Sequence, residues 1–328
     1  MIKKALKTIT MRKDMIYHSR VFCLILAALI SLFLQLPHPR ALFAKTATGK
    51  VLILNSDMSV SNYALAHTGF KSKVAVINGE IDLGSKWVDE SNVKKTINNT
   101  NPDVIYCIGS KAYLLAYELA ENKNIVFTSI INWRRLPMGK NAYGISVELL
   151  PSMQLTLYRY FFPGINKIGI VYSKDFNKEW LDTVTKSAKD VGITIFKKAI
   201  TKQEDVESAL KELLPNVDAL WLAPDPIVIS KTESVAEMFK MCDTAGKPVL
   251  AYNEAFADLG ATLIISADIT TMGGQAAGIA LDLLSEQKRD DKVQTPAGTN
   301  VILNLKQVEK YKIKLNEEAL DSVNQIIK

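Results

Sequence analysis

The residues able to hold a small molecule fall at the ends of short apolar runs. In chain order they are Asn55-Ser56-Asp57, Gly109-Ser110, Ile131-Asn132-Trp133, Tyr172-Ser173, Pro224-Asp225 and Asn253-Glu254, with Asp268 just ahead of a helical stretch beginning near Thr271. Hydroxyls, amides and the N–H groups at helix starts can receive a carboxylate or another anion. Asp225, Glu254 and Asp268 can receive an ammonium or amide donor. Trp133 and Tyr172 can stack on an apolar or aromatic moiety. Each also has a plainer role: Ser110 and Asp268 as ordinary helix caps, Asp57 and the proline-flanked Asp225 as turn residues, Trp133 as core or loop cover.

Signatures of catalysis are missing. No strand candidate is followed by Gly-x-Gly-x-x-Gly, and no phosphate loop of the Gly-x-x-x-x-Gly-Lys type occurs. There is no Gly-x-Ser-x-Gly elbow, and past residue 44 His67 is the only histidine, a poor basis for a triad or a zinc site. A lysine- or carboxylate-based catalyst carries no spacing signature. The expectation is a binder, with no enzymatic activity, cofactor or metal.

The elements that must position these residues alternate regularly from Lys50 onward. Strand candidates are Val51–Leu54, Val74–Ile77, Val104–Ile108, Ile125–Ile130, Ile168–Tyr172, Ile193–Phe196, Ala219–Ala223, Val249–Tyr252, Leu263–Ser266 and Val301–Leu305. Several are unbroken apolar runs, as parallel strands covered on both faces require. Helical patterns fit between them at Val88–Asn99, Lys111–Asn122, Ser152–Phe161, Lys178–Val191, Gln203–Leu214, Lys231–Ala245 and Thr271–Ser285, with a last one at Glu317–Ile327. Repeated strand–helix–strand units form a doubly wound α/β sheet, whose ligands sit at strand C-terminal ends. The run Asn101-Pro102-Asp103-Val104-Ile105-Tyr106 is echoed by Pro215-Asn216-Val217-Asp218-Ala219-Leu220-Trp221, so two lobes of similar build are expected.

The chain has 40 Lys and Arg against 34 Asp and Glu, but the excess lies in residues 1–44, and residues 45–328 are formally neutral. A neutral body gives no footprint for nucleic acid. Residues 1–44 have the order of an export signal: a basic stretch to Arg20, an apolar run Val21–Leu34, a proline-containing break, and Ala41-Leu42-Phe43-Ala44. The run is shorter than the roughly 20 residues that span a bilayer, so cleavage and a periplasmic location are preferred over a retained anchor. Cys23 lies inside the run, and the residues before it lack the small side chains of a lipid-attachment site. Cys107 and Cys242, on a strand-like and a helix-like stretch, are expected to be buried thiols rather than a disulfide.

The ordered set of segments resembles a known family. Cys107-Ile108-Gly109-Ser110-Lys111-Ala112, Ile125-Val126-Phe127-Thr128, Tyr143-Gly144-Ile145-Ser146, and Phe162-Pro163-Gly164 leading to Lys167-Ile168-Gly169-Ile170-Val171-Tyr172 are similar to ABC-transporter substrate-binding proteins of the tryptophan-importer type. So are Asp218-Ala219-Leu220-Trp221-Leu222-Ala223-Pro224-Asp225-Pro226, Pro248-Val249-Leu250-Ala251-Tyr252-Asn253-Glu254, Gly273-Gly274-Gln275-Ala276-Ala277 and Val301-Ile302-Leu303-Asn304-Leu305-Lys306. The likeness covers about residues 50–320.

The resemblance implies a type I periplasmic-binding fold of two Rossmann-like lobes joined by three crossings, near Val147–Pro151, Ser266–Thr270 and Lys292–Gly298. The first lobe would combine 48–148 with 268–290, and the second 149–267 with 297–328. It further implies a small-molecule ligand, amino acids being among those of the family, held by Ser56, Ser110, Asn132, Asp225, Asn253 and Asp268, and delivery to the membrane permease of an ABC importer by closure of the lobes. A monomer is the default. A periplasmic sensor presenting its closed form to a membrane receptor or kinase is the alternative. Asp225→Ala is expected to abolish ligand-induced stabilisation without unfolding the chain. Two departures stand out: the segment Ser59–Lys73 is short, with a poorly defined helix, and Ile131-Asn132-Trp133-Arg134-Arg135 brings two arginines near the rim.

Overall fold

The computed structural model describes residues 49–85, 89–287 and 289–328. The export-signal expectation, on residues 1–44, lies outside the described residues. Within these, no helix is long and apolar enough to cross a membrane.

The apolar runs become the centres of two sheets. The first contains β1 (Val51–Asn55), β2 (Gly79–Asp82), β3 (Val104–Ile108), β4 (Asn124–Thr128), β5 (Ala142–Ile145) and β11 (Val293–Gln294), in the order β11-β5-β4-β3-β1-β2 and parallel throughout. The second contains β6 (Lys167–Ser173), β7 (Thr194–Ile200), β8 (Ala219–Trp221), β9 (Val249–Ala251), β10 (Leu263–Ala267), β12 (Thr299–Asn304) and β13 (Gln325–Ile327), ordered β13-β12-β10-β9-β8-β6-β7. Its one change of direction falls between β10 and β12, which are antiparallel, and β13 runs parallel to β12. Helices on both faces cover these strands, which is why β1 and β3 are buried at every position.

Around the first sheet lie α1 (Ser61–Lys71), α2 (Glu90–Thr100), α3 (Ser110–Leu119) and α8 (Ile269–Leu284). The second carries α4 (Pro151–Phe161), α5 (Lys174–Asp190), α6 (Val206–Leu213), α7 (Thr232–Thr244) and the short α9 (Leu305–Lys310). The chain passes between the lobes three times: after β5, between β10 and α8, and between β11 and β12. One apolar core follows the inner sides of both sheets, from Val51 and Phe70 through Leu149 and Tyr158 to Ile265 and Ala277. The outer layers form separate cores.

Several local expectations change. The run Val74–Ile77 is not a strand, and Val76 is exposed; the edge strand is the half-polar Gly79–Asp82 that follows. The last segment is a 3-10 turn at Glu317–Ser322 and then β13, not one helix. The stretch after β1 holds a regular helix, α1, joined closely to α8. A Cβ on Gly69 would lie 2.0 Å from the Thr270 carbonyl oxygen, and one on Gly273 2.1 Å from that of Ala66, so the crossing requires glycine on both helices. Cys107 and Cys242 are buried free thiols. Burial pushes both thiols up, that of Cys242 to about 12.

Candidate functional site

The three crossings leave a cavity of about 290 Å³ between the lobes. The first lobe contributes Val60, Asn62 and Tyr63 from the start of α1, Ser110 from the start of α3, and Ser129 and Ile131 from the exit of β4. The second contributes Trp180 from α5, Trp221 from β8, Pro224, and Tyr252, Asn253 and Glu254 from the exit of β9. Along the crossings the wall is Val147, Glu148, Leu149, Gln154, Ile265, Ser266, Ala267 and Ile269.

One side of the cavity is aromatic and fixed. Trp221 meets Trp180 edge-on with ring centres 5.1 Å apart, and meets Tyr158 behind it in the same way at 5.1 Å. Such edge-to-face contacts lock the indoles by quadrupole complementarity as well as by buried area. Tyr252 packs edge-on to Phe256 at 5.4 Å. Burial, reinforced by the Asp225 charge, raises the Tyr252 phenol; burial and Asp57 do the same to Tyr63. Both therefore stay neutral hydrogen-bonding groups at physiological pH.

The polar groups divide by whether the protein already satisfies them. Ser110 opens α3, and its hydroxyl makes no hydrogen bond among the described residues. The helix start is instead capped from a distance, because Ser56 Oγ accepts from Ala112 N at 3.0 Å. Gly109 makes this possible: at φ 84°, a Cβ there would stand 2.6 Å from Ser56 Oγ. Ser129 has φ 60°, unusual for a non-glycine residue, and its buried Oγ has no partner among the described residues. Asn253 Oδ1 accepts from Ala255 N at 2.9 Å, leaving its NH2 group for another acceptor. Glu254 accepts from Asn300, and Glu148 pairs with Arg134, whose guanidinium lies 4.7 Å over the Trp133 ring. At the mouth Arg135 reaches Glu179 across the lobes at 3.3 Å.

Of the expected residues, Ser110 and Asn253 line the cavity. Ser56, Asn132, Asp225 and Asp268 do not, for four separate reasons. Ser56 is buried as the remote cap of α3. Asn132, in the left-handed conformation, lines a small adjoining pocket with Arg134, Arg135 and Glu179. Asp268 caps α8, accepting from Thr271 N at 3.0 Å and from Thr271 Oγ1 at 2.6 Å. Asp225 is wholly buried and accepts from Ser173 N and Oγ, Asn177 Nδ2, Ile227 N and Val228 N, so it ties the start of α5 to the turn behind Pro224. Asn62, Tyr63, Gln154, Trp180, Trp221 and Ser266 were not foreseen. A tryptophan inside an apolar strand, or on an amphipathic helix, has the same pattern whether it faces core or cavity. Only Tyr252, next to Asn253 at a strand end, carried a signal that could have found it.

Known proteins share this fold. The family described as ABC transporter substrate binding protein matches residues 58–327. A tyrosine-binding protein from Clostridioides difficile (strain R20291) is 24% identical over 255 residues, 74% of this chain and 72% of that protein. Among solved structures, the ligand-free, open form of a substrate binding protein with adhesive properties from Clostridium difficile superposes with a TM-score of 0.69 at 18% identity, covering 85% of this chain and 99% of the other. The ABC domain from Streptococcus pneumonia in complex with L-Trp gives 0.61 at 18% identity, again over 85% and 99%. The fold is thus shared with these solved structures, and the family match spans nearly everything after the first strand: this chain belongs to the ABC transporter substrate-binding proteins, a family of binders rather than enzymes.

Proposed function

We propose that the protein captures an aromatic amino acid outside the cytoplasm, closes its lobes over it, and presents it to the permease of an ABC importer without chemical change. The observation carrying this reading is the makeup of the cavity. A fixed aromatic set, Trp180, Trp221 and Tyr252, lines the same cavity as free polar groups on Ser110 and Asn253 and the carboxylate of Glu254. An aromatic side chain buries its faces against the indoles. The α-carboxylate suits the start of α3 at Ser110, where N–H groups and the helix dipole favour negative charge, and the α-ammonium suits Glu254. A volume of about 290 Å³ lies at the small end of ligand pockets. The tyrosine- and L-Trp-binding relatives support the same ligand class.

Binding only to the folded state raises the melting temperature by mass action. A thermal-shift panel of amino acids, nucleosides and small anions on the purified protein is expected to show its largest rise with an aromatic amino acid, recovered unaltered afterwards. A largest rise with a nucleoside or an inorganic anion, or conversion of the ligand, would overturn the proposal.

A further inference from the structure

Gln154 is out of keeping with its surroundings. It sits in the first turn of α4, directly after the first crossing, and is only 5% exposed. It lines the cavity, yet its side-chain amide makes no hydrogen bond among the described residues. Its lining neighbours on the crossing side are the apolar Val147, Leu149, Ile265, Ala267 and Ile269, with Ser266 and with Glu148, whose carboxylate is already paired with Arg134. On the second crossing the Ser266 Oγ is fully buried and has no partner among the described residues. Keeping a polar group in such a place costs stability unless something supplies the missing hydrogen bond. An apolar residue of the same length would close this wall better. Gln154 also comes from a different element than the groups assigned above to the amino acid backbone: Ser110 opens α3 in the first lobe, and Asn253 and Glu254 follow β9 in the second.

Building on the amino-acid reading above, we propose that Gln154 is a specificity-determining residue that hydrogen-bonds a polar group at the distal tip of the aromatic side chain. The amide offers both a donor and an acceptor. It can therefore serve a phenolic hydroxyl in either sense, or accept from an indole N–H. A bare phenyl ring or an aliphatic chain fits the volume and the aromatic wall but leaves the amide dry and unpaired. Sites built to hydrogen-bond a ligand group discriminate strongly against the analogue that lacks it, for that reason. The substrate class thus narrows to aromatic amino acids with a polar tip, over phenylalanine.

Calorimetric titration of the purified protein with L-tyrosine, L-tryptophan and L-phenylalanine tests this, alongside Gln154→Met, which keeps the length of the side chain and removes its polarity. The wild type is expected to bind the better of tyrosine and tryptophan on the order of tenfold or more tighter than phenylalanine. Gln154→Met should lose that preference by weakening the favoured ligand about tenfold while changing phenylalanine less than about threefold. Its ligand-free melting temperature should be no lower than the wild type's, because the amide it removes holds no hydrogen bond among the described residues. Equal affinity of the wild type for all three, or a uniform weakening in the variant with a lower melting temperature, would overturn the role of Gln154 and leave the amino-acid reading standing. Binding of none of the three by the wild type would overturn both.

Discussion

Five donors converge on the Asp225 carboxylate, at distances from 2.6 Å for Ser173 N to 3.2 Å for Val228 N, in a place with no solvent exposure. Removing it strands the Ser173 and Asn177 donors in the interior, where unpaired polar groups are costly. Asp225→Ala should therefore lose on the order of 3 kcal/mol and melt about 5–10 °C lower, while ligand still raises the melting temperature that remains. Differential scanning fluorimetry with and without ligand decides between this and direct contact: an unchanged apo melting temperature with the ligand response gone would restore Asp225 to the binding surface. Such residues show how far the site was legible. The polar strand ends could all be located from the sequence, because strand periodicity and turn residues mark them. Whether a given carboxylate or hydroxyl faces a ligand or completes the fold depends on donors distant in sequence. Ser56 meets Ala112, and Asp225 meets Ser173, across more than fifty residues each. No local pattern encodes those partners.

Central strands such as β3 could be placed from their unbroken apolar runs, since burial on both faces leaves no polar positions to blur them. Edge strands could not. In β2 only alternate residues are shielded, and Glu80 and Asp82 interrupt it, so the preceding apolar run drew the assignment. Strand β13 is three residues at the chain end that acquire their register only by pairing with β12. Strand β5, with Tyr143 and Gly144 at its centre, was passed over in the same way. Between helices the decisive element contact is the crossing of α1 and α8, where the backbones approach too closely for any Cβ at Gly69 or Gly273. Gly273→Ala must separate two helices at a backbone-to-backbone contact, and overpacking of this kind costs about 3 kcal/mol. Because α1 also carries Asn62 and Tyr63 into the cavity, ligand affinity should fall along with the urea midpoint. Equilibrium unfolding that shows wild-type stability for Gly273→Ala would mean the helices can part without penalty.

At the scale of the whole molecule, the lobes meet at the cavity and at a polar rim. Glu179 is about two-thirds exposed, and its pairing with Arg135 across the mouth is screened by solvent. Exposed ion pairs contribute little, so Glu179→Gln should weaken ligand binding by less than about threefold, with the difference shrinking further in high salt. A tenfold loss measured by titration at physiological ionic strength would show the pair to be a lock rather than trim. Ligand-driven closure should also appear as a smaller radius of gyration in small-angle scattering. The three crossings have one further consequence, for the order in which the chain is made. The strands β1 to β5 leave the ribosome first, but α8, which lies against β3, β4 and β5, comes only after most of the second sheet. The face holding Val126 and Ile145 must wait uncovered through all that synthesis. No single cut in the polypeptide yields either half intact, so the nascent first half is where a holding chaperone has the longest opportunity to act.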